Sequence, residues 1–88
     1  MSEKLKAMRE QVKDEMKHIS YIPGDYAQNE LRMFYWPLRM NSLGKKAKTI
    51  DETKENILKK AIEGVKKSYP DFKPQYDSDF FKLESIDE

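Results

Sequence analysis

The 88-residue chain has no cysteine, a single histidine and only three glycines. Without cysteine there is no disulfide staple, no cysteine-ligated zinc, no iron–sulfur cluster and no thiol nucleophile. With one imidazole, most acid–base and nucleophile machinery is missing as well. Glycine-rich phosphate loops, His-Glu-x-x-His and Gly-x-Ser-x-Gly are all absent. No apolar run approaches the roughly 18 residues that cross a bilayer, and the charged N-terminus lacks the apolar core of a signal peptide. Charge of one sign is lacking too: Lys+Arg 17 against Asp+Glu 16 leaves +1 overall, so no global electrostatic signature exists. The expectation is one cytoplasmic domain, not an enzyme, with no cofactor, no metal and no membrane contact.

What is present is helical patterning. Leu5, Met8, Val12, Met16 and Ile19 recur at steps of three and four, one stripe of a helix, with charged residues and glutamine filling most of the positions between. Ser2 is placed to cap this helix. Tyr21-Ile22-Pro23-Gly24 ends it, because the residue before proline avoids the α region and Pro-Gly favours a turn. Asp25 with Gln28 three residues on has the form of a capping box opening a second helix, which Pro37 should stop or kink. Leu31-Arg32-Met33-Phe34-Tyr35-Trp36 is also aromatic enough to form a short strand. Residues 41–48 read as a loop. Thr49 and Glu52 form another capping box, before a helix whose apolar stripe is Ile50, Ile57, Leu58, Ala61, Ile62 and Val65. Glu55 and Lys59 are ordered as an i,i+4 pair on it.

The spacing therefore predicts an all-α fold, three helices near 3–19, 26–36 and 51–68 making a domain over 1–70. An extended, partly packed acidic segment, 71–88, follows as part of that domain or as a docking tail. The alternative is α+β with a strand at 31–36. Antiparallel packing of the first and third helices would supply most of the core. A homodimer would add apolar burial to so thin a core.

Charge by segment is more informative than the total. Residues 31–50 hold Arg32, Arg39, Lys45, Lys46 and Lys48 with no acid, whereas residues 71–88 carry six acids and two bases. The +5 and −4 halves could clasp each other. Arg32, Tyr35, Trp36, Arg39 and Met40 are the residue types enriched at protein–protein hot spots, and they suit an acidic protein surface. Interleaved arginines and aromatics followed by Lys45, Lys46 and Lys48 also suit stacking on bases and contact with phosphates. Core burial is the competing explanation for Leu31, Phe34, Tyr35 and Trp36. His18 with Asp14, and Asp77 with Asp79, are too few ligands for a metal and read as surface and capping residues. The expected function is that of a small regulatory or inhibitory protein which binds another protein, of a size common in phages and mobile elements. A nucleic-acid-binding accessory role for 31–48 is the alternative.

Overall fold

A computed structural model describes residues 3–45 and 53–84. The fold is all-α: helices α1 (Glu3–Met16), α2 (Tyr26–Gly44) and α3 (Lys54–Lys66), then a short 3-10 helix, Ser78–Lys82. Residues 31–36 are helical, and β-type pairing among the described residues is confined to a single antiparallel bridge between Ile19 and Tyr76.

Helix α1 closes through Ile19 N–H donating to the Met16 carbonyl, and the turn that follows needs Gly24, whose φ is +82°. Asp25 caps α2 by accepting from Gln28 N–H at 3.0 Å. The expected capping box is only half formed, because the Gln28 side chain turns away to the Ser20 and Gln75 carbonyls, both at 2.8 Å. Pro37 does not stop α2, which runs on to Gly44 and absorbs much of the expected loop. Proline is tolerated because it lies on the exposed side. The hydrogen bond it removes is the one to the Met33 carbonyl, on that same exposed side. Helix α3 starts later than expected, with Thr53 as its N-cap; the Ser2 cap, the Thr49–Glu52 box and Ile50 fall outside the described residues.

The core has a different centre from the one expected. Helix α2 packs extensively on α3 and less extensively on α1, so it is the middle of the molecule and not an accessory to an α1–α3 pair. Met8, Val12, Ile57, Leu58, Ala61 and Val65 are buried as expected. They are joined by Leu31, Tyr35 and Leu43 from α2, with Ile19 and Phe80 from the segments after α1 and α3. Phe34 is not core: it is 39% exposed and lies over Gly64, where a Cβ would come within 3.3 Å of its ring. Glu55 reaches Lys54 Nζ at 3.0 Å instead of Lys59.

The segment after α3 packs on the helices. Phe80 is fully buried edge-on to Tyr35, ring centroids 5.9 Å apart. Asp77 caps the 3-10 helix and bonds His18 Nδ1 at 2.9 Å, and Asp79 meets Lys82 at 3.6 Å. Among the described residues neither acid bonds Arg32 or Arg39; Lys46, Lys48, Asp87 and Glu88, the other charges a clasp would use, lie outside them.

Candidate protein-docking face

The inward side of α2 is set by Gln28, Leu31, Tyr35, Arg39 and Ser42. Two of these were candidates for a binding patch. Arg39 is fully buried, with Nε and Nη2 on the Glu15 carboxylate at 2.9 and 3.1 Å and Nη1 on Ser42 Oγ at 3.1 Å. Tyr35, equally buried, donates its hydroxyl to Glu15 Oε1, while Gln11 Nε2 bonds the other oxygen at 2.6 Å. Burial and then the adjacent carboxylate push the Tyr35 phenol far up. Arg39 and Tyr35 are therefore interior residues, held by a charge buried on α1, and no partner reaches them. Met40 packs half-buried against the core. Lys45 is exposed at the end of α2, and Lys46 and Lys48 lie outside the described residues.

The opposite side of α2 is where the surface is unusual. Tyr26, Met33, Pro37 and Asn41 are exposed and follow one another in a stripe at steps of seven, four and four, with half-buried Glu30 the charged residue on the same side. Met33 is 70% exposed and Tyr26 75%. The solvent sides of α1 and α3, by contrast, are dense in lysine and glutamate. Beside the stripe runs an open groove of about 470 Å³ between α2 and the end of α1, lined by Met16, Tyr21, Asn29, Arg32, Met33 and Trp36. It continues past Ile19 to Lys13 and Lys17.

Arg32 is fixed in this groove. One terminal nitrogen donates to the Met16 and Ile19 carbonyls at the end of α1, and the guanidinium lies 5.8 Å from the Tyr21 ring centre. The cation adds a second donor to the Met16 carbonyl, which already accepts from Ile19 N–H, and complements the negative end of the α1 dipole. One turn earlier, Asn29 Oδ1 is buried with no hydrogen-bond partner among the described residues.

Of the residues expected at a binding patch, then, only Arg32 and Trp36 share the groove. Met33, Tyr21, Met16 and Asn29 were missed. Met33 was legible: continued through Pro37, the period that puts Leu31, Tyr35 and Arg39 inside puts it outside. Among the described residues no group of three or more metal-ligating side chains converges, and no helix is long and apolar enough to cross a membrane. No protein family, curated protein or solved structure matches this chain.

Proposed function

We propose that the chain is a small, non-catalytic regulatory or inhibitory protein that acts by binding another protein through the outer face of α2. The observation that supports this most is the exposed row of Tyr26, Met33 and Pro37 bordering a groove whose walls include Trp36 and Tyr21. Methionine, aromatic residues and arginine are the types that interfaces concentrate, and lysine and glutamate are the types they lack. Apolar side chains exposed side by side mark an interaction surface more often than an idle one.

The test is affinity capture from the source cell with and without nuclease, comparing the parent chain with Met33→Asp and with Lys59→Ala, on the exposed side of α3. Met33 is exposed, so its replacement should leave the helical circular dichroism intact and abolish capture. Lys59→Ala should change nothing. Capture that survives Met33→Asp would reject the face. Capture lost on nuclease treatment alone would move the reading to nucleic acid.

A further inference from the structure

Resting on that reading, we infer that the groove takes an acidic segment of the partner protein. An apolar side chain sits against Trp36 and Met33, a carboxylate meets Arg32, and a main-chain N–H satisfies Asn29 Oδ1 once that amide turns into the groove.

Three observations converge on this ligand chemistry. First, the groove and its continuation are lined by Arg32, Lys13 and Lys17, and no carboxylate lines either part. The acids nearest these lysines are Glu10, 3.8 Å from Lys13, and Asp14, 3.2 Å from Lys17, one turn back along α1. Both are exposed pairs of the kind that holds weakly and yields to a better partner. Second, Arg32 spends one terminal nitrogen on the α1 carbonyls, while its Nε and other terminal nitrogen have no partner among the described residues. An arginine anchored at one corner keeps a two-donor edge, which matches a carboxylate. Third, Asn29 Oδ1 is a buried acceptor that lacks a donor among the described residues, a costly arrangement which a ligand N–H relieves once the amide, at the groove wall, turns outward.

A peptide segment offers both functions, a carboxylate for Arg32 and an N–H for Asn29, whereas a phosphodiester backbone offers only acceptors. A second copy docking by two-fold symmetry on this groove would bring Arg32 towards Arg32, which like charge opposes. An acidic, apolar-anchored peptide is the occupant these features select.

A selection of random displayed peptides on the immobilised full chain tests this, followed by titration of the enriched peptides. Trp36, the sole tryptophan, reports groove occupancy by fluorescence. The expected peptides combine Asp or Glu with a large apolar residue, and their affinity falls at least roughly tenfold in Arg32→Gln and in Lys17→Glu. Lys17 is exposed, so its variant keeps the test valid if Arg32→Gln loosens α1. Peptides without acids that still need Met33 would overturn the acidic occupant and leave the docking face standing. Peptides indifferent to Met33→Asp would overturn both. Absence of any enrichment overturns the inference, as does a concentration-dependent mass in sedimentation that Met33→Asp abolishes, since a second copy would then be the occupant.

Discussion

Glu15 is the residue on which the interior turns. A carboxylate with no exposure in so small a domain persists only because it is fully partnered, by Arg39 through two nitrogens, by the Tyr35 hydroxyl and by Gln11. Each partner alone is a liability. Replacing Arg39 by methionine leaves Glu15 buried and uncompensated, at a cost of about 3–5 kcal/mol. That is comparable with the whole stability of a domain this size, so Arg39→Met should be largely unfolded by circular dichroism at room temperature. The triple replacement Glu15→Leu, Tyr35→Phe, Arg39→Met removes every charge and the hydroxyl together and should refold to within about 1–2 kcal/mol of the parent in urea titration. Alkaline titration probes the same cluster. Tyr35 has its folded pKa raised above the ordinary 10.0, so its contribution to stability is complete below 10 and is lost as pH climbs beyond it. Among the five tyrosines, its phenolate absorbance should emerge last, together with loss of helical signal.

At the scale of elements, the unusual one is α2, a 19-residue helix with proline near its middle. Pro37 costs a helix interior about 3 kcal/mol relative to alanine, and here it sits on the side where nothing is packed. Pro37→Ala should therefore raise the urea midpoint, by roughly 1–3 kcal/mol of stability once the greater freedom of the unfolded chain is counted. An unchanged or lower midpoint would mean that the proline shapes α2 in a way its packing on α3 requires. Gly64→Ala is a smaller test on the facing helix. The propensity gain is up to about 1 kcal/mol, and the Phe34 ring 3.3 Å away is at the surface and free to give way, so stability should rise. Proline and glycine also account for what sequence alone did and did not reveal. The α1 and α3 stripes were legible because amphipathic periodicity acts within one helix. The reach of α2 was not, because a local rule about proline yields when the helix is held by packing of its inward side, Leu31, Tyr35, Arg39 and Leu43, on either side of the proline. Arg39 resembled a surface arginine because its partner, Glu15, lies 24 residues away and pattern within a helix carries no information about it.

The whole molecule closes through its C-terminal segment, and the manner of closure decides how it responds to salt. Gln28 is completely buried and binds both backbone groups of Gln75, accepting its N–H at 3.0 Å and donating to its carbonyl at 2.8 Å. Ser20 N–H donates to the same carbonyl at 3.1 Å, and Asp77 N–H to the His18 carbonyl at 2.9 Å. Phe80 then enters the core beside Tyr35, and Lys54, itself buried, bonds the Leu83 carbonyl at 2.9 Å. Most of these contacts are hydrogen bonds between neutral groups and apolar burial, which ionic strength scarcely screens. The charge split between residues 31–50 and 71–88 invites the opposite expectation, a clasp that opens in salt. Hydrogen exchange separates the two. The amides of Ser20, Gln75 and Asp77 should be protected to the same degree in low and in molar salt. Phe80→Ala should strip that protection and cost about 3–5 kcal/mol of global stability, because the cavity opens against Tyr35 and α2. Protection that disappears in salt while the helices remain folded would restore the electrostatic clasp. Protection lost together with the helices on Phe80→Ala would make the segment a fourth structural element, inseparable from the three it covers.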